Sequence, residues 1–130
     1  LTEVDADFWS GVTVQEAGLT GIILNPTHPK TRHANTLMHE WAHIYLKHRP
    51  KRVDFTIGGL LLLSDYDSEF EDEANWLAGA LLLPREGLVA HRRNGLSVAA
   101  IAETYGVSTE LTNWRLRMTG IDKQLQNRKY

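Results

Sequence analysis

The sequence predicts a mixed α+β fold, in which a small β-sheet and two long helices are followed by a helical C-terminal part. Three observations support this prediction. Two short apolar segments with β-branched residues lie within the first 25 positions, a segment without glycine or proline runs from 30 to 48, and helical patterns continue from residue 85 to the end. A chain of 130 residues is long enough to bury one core.

The first two strands are predicted at "GVTV" (residues 11–14) and "GIIL" (residues 21–24). The turn-prone segment "QEAGLT" separates them, so a hairpin is expected. A third strand is predicted at "VDFTI" (residues 53–57), because apolar and polar residues alternate there. Loops are expected around it, at Gly58 and Gly59 and in "SDYDS".

Prolines mark the limits of the two long helices. "NPTHP" (residues 25–29) ends the second strand, the first helix is predicted over 30–48, and Pro50 ends it. The second helix is predicted to begin with Ser68 as its N-cap and Glu71 as a capping-box partner, and to stop at Pro84.

The C-terminal third differs from the rest in charge and pattern. Residues 1–84 hold 6 Lys or Arg and 12 Asp or Glu, net −6, whereas residues 85–130 hold 8 and 4, net +4. We predict a core of residues 1–84 and a helical extension of residues 85–130 that packs on it. Within the extension, the small Ala102 and the turn residue Gly106 are typical of a helix-turn-helix.

Two interpretations of this helix-turn-helix-like segment remain open. In one, Asn113 and Arg115, with Thr109 and Thr112, lie near DNA, helped by the local positive charge. In the other, the segment is a scaffold or recognises a protein substrate, and its apolar residues form the core of a small bundle, namely Val98, Ile101, Ala102, Leu111, Trp114 and Leu116.

Composition excludes several classes of protein. Without cysteine the chain has no disulfide and no thiolate metal site, so a metal must be held by His, Asp or Glu. A net charge of −2 argues against a strongly basic nucleic-acid coat. The longest apolar run, "GGLLLL", is too short to span a membrane, and the N-terminal pattern is not that of a signal peptide, so a cytoplasmic protein is expected.

The stretch "TLMHEWAHIYLKH" in the first helix carries the clearest chemistry. His39 and His43 are offset by only about 40° on a helix, so both imidazoles face one side and can reach one ion at about 2.1 Å. Glu40 lies about 100° from His39, beside the position of a metal-bound water, where a carboxylate acts as general base. The alternative is that both histidines are ordinary core or surface residues. The apolar residues around them predict that the helix is buried.

A catalytic zinc site of this type needs a third protein ligand. On a helical wheel of the second helix, Phe70, Ala74, Leu77 and Leu81 define an apolar face, and Glu73 is the acid closest to its centre. Glu73 is therefore the predicted third ligand. The neighbouring acids are interpreted as a solvated first turn that the helix dipole favours, namely Glu69, Glu71 and Asp72.

"HEWAH" (residues 39–43) followed by "EANWLAGALLLP" (residues 73–84) resembles the ImmA/IrrE family of metallopeptidases. That family pairs an HExxH helix with a second helix reading approximately E-A-N-x-F-A-x-x-L-L-M-P. "GIILN" (residues 21–25) is similar to the strand that enters the family's active-site helix, so the resemblance covers about residues 20–84.

The resemblance implies a zincin-like core in which His39, His43 and Glu73 hold zinc and Glu40 is the base. It further implies a protein substrate, a helix-turn-helix transcriptional repressor of a phage, mobile-element or stress-response system, which such proteases cleave or inactivate. A rival hypothesis is a non-enzymatic regulatory module that binds protein or DNA around a structural or vestigial metal. The intact Glu40 favours the enzyme.

The sequence departs from the family pattern at two positions near the motif. Ala42 stands where glycine is common, and His48 lies five residues after His43 instead of four, so His48 receives no role. Leu77 replaces the common phenylalanine, which affects packing only. No motif identifies the group that stabilises the oxyanion, and Tyr66, His33 and His91 remain unassigned candidates.

Overall fold

The computed structural model describes residues 9–56 and 58–127. This part of the chain forms an α+β fold, as predicted. Its strands are β1 (Gly11–Glu16), β2 (Leu19–Leu24), β3 (Arg52–Phe55) and β4 (Leu61–Ser64). Its helices are α1 (Lys30–Tyr45), α2 (Ser68–Leu82), α3 (Arg85–Arg93), α4 (Val98–Tyr105), α5 (Thr109–Thr119) and α6 (Ile121–Asn127).

The four strands form one antiparallel sheet in the order β2-β1-β4-β3. The predicted hairpin of β1 and β2 is confirmed, and it turns at Ala17 and Gly18, which both have positive φ as a type I′ turn requires. The third predicted strand forms as β3, with Ile57 outside the described residues. The sequence did not predict β4, because its uninterrupted "LLL" lacks the alternation of a half-buried strand.

Helix α1 follows the prolines as predicted but ends at Tyr45, three residues early. The expectation that this helix is buried is wrong for one side. Leu37, Trp41 and Ile44, spaced four and three residues apart, are 42%, 37% and 37% exposed, and Tyr45 is 63% exposed. The opposite side contacts the sheet and α2.

Helix α2 links the sheet region to the C-terminal helices. It packs against α1 through a buried face that includes Ala74 and Ala78. Near its other end, Gly79 approaches Trp114 of α5 so closely that a Cβ there would lie 2.8 Å from the indole ring. The predicted capping box is wrong, because the N-cap is Asp67 and no side chain caps the helix.

The aliphatic core of the described residues lies beyond the end of α2. Its buried members are Leu83, Leu88, Ile101, Ala102, Val107, Leu116 and Ile121. Helices α4 and α5 begin where predicted, with the Ser97 and Ser108 hydroxyls accepting from the Ala100 and Leu111 N–H groups. No helix among the described residues is long and apolar enough to cross a membrane.

The two DNA-contact candidates occupy different environments. Asn113 is exposed, but Arg115 is 4% exposed and donates from Nε to the Leu83 carbonyl oxygen at 3.0 Å. Its guanidinium also lies 5.4 Å from the ring of Trp76. Arg115 therefore joins the end of α2 to α5, and its proposed contact with DNA is corrected.

Candidate metal centre and active site

His39 and His43 face each other across one turn of α1, as their spacing predicts. Their Nε2 atoms lie 3.2 Å apart, and the rings meet edge to face at an interplanar angle of 87°. The His43 side chain is 1% exposed and that of His39 is 18% exposed. His43 is therefore shielded from solvent, whereas His39 keeps partial access to it.

The carboxylate that lies beside both imidazoles is that of Glu71, and the prediction of Glu73 at this position is corrected. Glu71 Oε1 lies 3.0 Å from His43 Nε2, and its Oε2 lies 3.1 Å from His39 Nε2. Glu71 shares a face of α2 with Ala74 and Ala78, three and seven residues on, and this is the face that packs on α1. The wheel centred the face on Phe70, Leu77 and Leu81, whereas the buried Ala74 and Ala78 lie further round the helix, on the side of Glu71.

The donor group fits a tetrahedral metal ion. The His39, His43 and Glu71 donor atoms all lie within 4.8 Å of one another. Zinc held at about 2.1 Å by ligands at tetrahedral angles needs ligand atoms about 3.4 Å apart, close to the distances above. Burial, then the neighbouring His39 and His48, lower the pKa of His43 to about 3. At neutral pH His43 is therefore uncharged. A cation bound here would accept the lone pair of the imidazole and balance the charge of the Glu71 carboxylate.

Glu40 lies beside this group and is held by the sheet. The buried Thr13 of β1 donates from its hydroxyl to Glu40 Oε2 at 2.8 Å. Burial raises the pKa of Glu40, an effect that the Thr13 hydrogen bond and the charge of His39 oppose and the charge of Glu71 reinforces. A carboxylate with a raised pKa is suited to accept and return a proton near neutral pH.

A comparison with protein families decides which group of proteins this site belongs to. The family model Peptidase_M78, described as the IrrE N-terminal-like domain, matches residues 13–117. The chain belongs to this family. The matched range begins at Thr13 and includes the donor group and Glu40, so the resemblance drawn from the sequence is confirmed. A search of curated proteins and a search of solved structures gave no match.

The match gives this IrrE-like chain a wider extent than the sequence motifs did. The resemblance covered about residues 20–84, whereas the family model continues through α3 and α4 and into α5. A boundary at residue 84 remains a prediction.

Of the three candidates for oxyanion stabilisation in this IrrE-like domain, Tyr66 is the one in contact with the donor group. Its ring stacks on His43 with centroids 3.6 Å apart and an interplanar angle of 6°. His33 Nε2 lies instead 2.6 Å from the Asn25 carbonyl oxygen, and His91 packs against Tyr105. Burial and the charges of Glu40 and Glu71 raise the pKa of Tyr66 to about 12, which keeps its hydroxyl protonated.

Glu73 lies on a different side of α2 and contacts His48. The distance from Glu73 Oε2 to His48 Nε2 is 2.7 Å, and His48 Nδ1 lies 2.9 Å from His43 Nδ1. Sequence reasoning thus missed Thr13, Glu71 and His48. The signal available for Glu71 was its spacing from two alanines, but nothing local to Thr13 marks it, because β1 and α1 meet only in the folded chain.

Proposed function

We propose that this protein is a zinc-dependent peptidase in which His39, His43 and Glu71 hold the metal and Glu40 is the general base. The observation that carries the proposal is the meeting of two imidazole nitrogens and one carboxylate, beside a second carboxylate fixed by Thr13. Three protein ligands with one open position are typical of a catalytic zinc site. A structural site does not need Glu40.

The chain's own residues divide the chemistry of peptide hydrolysis. Zinc, when bound, supplies a Lewis acid that polarises the carbonyl group and lowers the pKa of water. Glu40 accepts a proton from the attacking water and delivers it to the leaving nitrogen, and Thr13 keeps one carboxylate oxygen in place during both transfers. Tyr66 stays protonated and is the candidate donor to the negatively charged oxygen.

We further propose that the substrate is a helix-turn-helix transcriptional repressor, cleaved once in a phage, mobile-element or stress-response circuit. The support is the membership in the IrrE-like family together with the resemblance to ImmA/IrrE proteases. Such a substrate is found in the cytoplasm, where the sequence analysis also expects this chain. The exposed apolar side of α1, close to the metal centre, is a surface on which a protein substrate can be bound.

The metal site is tested first by metal analysis of purified variants. We expect about one zinc per chain in the parent and in Glu40→Gln, with loss of zinc in His39→Ala and Glu71→Ala. Glu69→Ala is the matched control, since it removes an exposed acid from the same turn of α2. Parent protein that binds no zinc at neutral pH, or Glu71→Ala that keeps full zinc, would refute the assigned ligands.

The reaction is tested separately with a candidate repressor. We expect the zinc-loaded parent to cleave it at one position and zinc-loaded Glu40→Gln to leave it intact, because the base is lost while the metal stays. Equal cleavage by both proteins would remove Glu40 from the mechanism. If the parent protein binds zinc but cleaves no repressor, the result would instead favour the regulatory module with a structural metal.

A further inference from the structure

His48 reaches the metal centre because the chain reverses sharply at the end of α1. Lys47 has φ +58°, in the left-handed region. Its N–H donates to the Ile44 carbonyl oxygen at 3.1 Å, and the His48 N–H donates to the His43 carbonyl oxygen at 3.0 Å. These two bonds are those of a Schellman motif, which folds the residue after the turn back onto the last helical turn. In this chain the residue folded back is a histidine.

The side chains then form a continuous chain of hydrogen bonds from the surface to the donor group. It runs from Glu73 Oε2 to His48 Nε2 over 2.7 Å, and from His48 Nδ1 to His43 Nδ1 over 2.9 Å. His43 Nε2 ends it, 3.2 Å from His39 Nε2. Glu73 thus contacts the metal centre through two imidazole rings.

When a cation takes up the charge of Glu71 at the inner end, the Glu73 carboxylate at the outer end determines where the protons lie along this chain. An ionised Glu73 only accepts, so His48 carries its proton on Nε2 and donates it. His48 Nδ1 is then an acceptor, and His43 must carry its proton on Nδ1 to donate to it. His43 Nε2 is consequently left with a lone pair directed at the donor group, as a zinc ligand requires.

Aromatic rings shield the two imidazoles. Phe70 stacks on His48 with centroids 4.2 Å apart and an interplanar angle of 6°, and Tyr66 covers His43. The His48 side chain is 3% exposed, but that of Glu73 is 58% exposed. The bond between the two histidines is therefore protected from water, whereas the outer carboxylate is partly solvated and contributes less.

We propose that His48 and Glu73 are positioning residues, which hold His43 in the tautomer and orientation that bind zinc. The proposal rests on the proposed function for the identity of the metal, because in the zinc-free chain Glu71 Oε1, 3.0 Å from His43 Nε2, competes for the proton of His43. It gives Glu73, which is not in the donor group, a role in the same site.

Zinc affinity measured by competition with a chromophoric chelator tests the inner bond. His48→Phe keeps an aromatic ring against Phe70 but cannot accept from His43, and we expect it to bind zinc about 10–100-fold more weakly. His48→Gln offers an amide oxygen to His43 and an amide N–H to Glu73, so it should recover most of the affinity. Equal affinity of His48→Phe and the parent, or no recovery in His48→Gln, would overturn the proposal.

The outer bond is tested with two variants of equal charge change on α2. Glu73→Gln removes the ionised acceptor of His48, and Asp72→Asn neutralises the exposed neighbour. In Glu73→Gln we expect a loss of zinc affinity severalfold smaller than the loss in His48→Phe. In Asp72→Asn we expect no loss. Equal losses in both would assign the effect to overall charge and remove Glu73 from the role.

Ring nitrogen NMR of zinc-free Glu71→Ala, in which no Glu71 carboxylate competes for the proton of His43 Nε2, separates this inference from the proposed function. We expect His43 protonated at Nδ1 in Glu71→Ala and when Asp72→Asn is added to it, with the preference weakened when Glu73→Gln or His48→Phe is added. A proton on His43 Nε2 in Glu71→Ala would overturn the inference even if the parent binds zinc. Parent protein that binds no zinc, with the Nδ1 proton present in Glu71→Ala, would refute the proposed metal and retain the hydrogen-bond chain.

Discussion

The sheet with α1 and the first part of α2, here called the site region, is stabilised differently from the helices that follow. In the site region the fully buried side chains are alanines and polar groups, whereas from Leu83 onward they are mainly aliphatic. Backbone strain divides in the same way among the described residues. Positive φ occurs at Ala17, Lys47 and Asp65 in the site region, but beyond residue 83 it is confined to glycine.

This difference teaches how the fold supports a metal centre. A site region with little aliphatic core depends on hydrogen bonds such as that from Thr13 to Glu40, on the close packing of α1 with α2, and on the ion it would bind. The C-terminal helices form a well-packed base that does not need the ion. Helix α2 joins the two, since Glu71 near its start belongs to the donor group and Leu83 after its end belongs to the core.

The largest expected effect is the loss of a core side chain from the C-terminal helices. Leu88 is fully buried, so Leu88→Ala should lower the free energy of unfolding by about 2–5 kcal/mol in urea titrations of the zinc-free protein. Leu37→Ala, on the exposed side of α1, is the control and should cost less than about 1 kcal/mol. Similar losses for both leucines would contradict the contrast between the regions.

Removal of zinc should affect the opposite region. At a zinc concentration 100 to 1,000 times the dissociation constant, binding stabilises the folded state by about 3–4 kcal/mol. After chelation we expect amide hydrogen exchange to become faster in α1 and the first turns of α2, and to change little in α4 and α5. Uniform acceleration along the chain would show that the two regions unfold as one unit.

Much of the site region was predictable because its signals are local. The pairing of His39 with His43 follows from helix geometry alone, and both long helices follow from proline positions and periodicity. The third donor was not predictable in this way. Choosing between Glu71 and Glu73 requires knowing which side of α2 meets α1, and the small Ala74 and Ala78 that mark this side carry a weaker signal than Leu77 and Leu81.

The remaining errors concern contacts between distant segments. The β4 strand has no alternation, so its place is set by pairing with the preceding β3 on one side and with β1, distant in sequence, on the other. Arg115 has the sequence context of a DNA-contacting residue, but its guanidinium is buried against the end of α2. His48 was set aside because its spacing from His43 was unfamiliar, and the left-handed turn at Lys47 makes that spacing suitable.

A smaller effect is expected from Thr13→Val, which removes a hydroxyl while keeping the shape of the side chain. The Thr13 hydrogen bond lowers the pKa of Glu40 against the effect of burial, so its loss raises that pKa further. Glu40 then becomes a base only at higher pH, and the acid limb of the kcat/KM profile should shift upward. Val14→Thr, on the same strand, is the control for a general disturbance of β1.

The same substitution gives a pH-dependent loss of stability. A glutamate whose folded pKa is raised above the unfolded value of 4.5 contributes stability below that pH, and this contribution is lost as the pH rises through the folded pKa. Thr13→Val should therefore cost about 1–3 kcal/mol at pH 7 and less below pH 4.5, where Glu40 is protonated in both states. A loss independent of pH would mean that the hydroxyl is not bonded to an ionised carboxylate.

The smallest expected effect is a gain in stability from Lys47→Gly. Lys47 adopts a left-handed conformation that costs an ordinary residue about 1–2 kcal/mol and costs glycine almost nothing. Part of this gain is offset by the greater freedom of glycine in the unfolded chain, so we expect a net increase of about 0.5–1 kcal/mol with zinc affinity unchanged. Lys47→Val should lower both the stability and the zinc affinity, because a β-branched residue resists the turn that folds His48 onto His43. The two variants leave every residue of the metal centre intact, so a loss of zinc affinity in Lys47→Val alone would show that backbone strain in the site region serves to place a side chain.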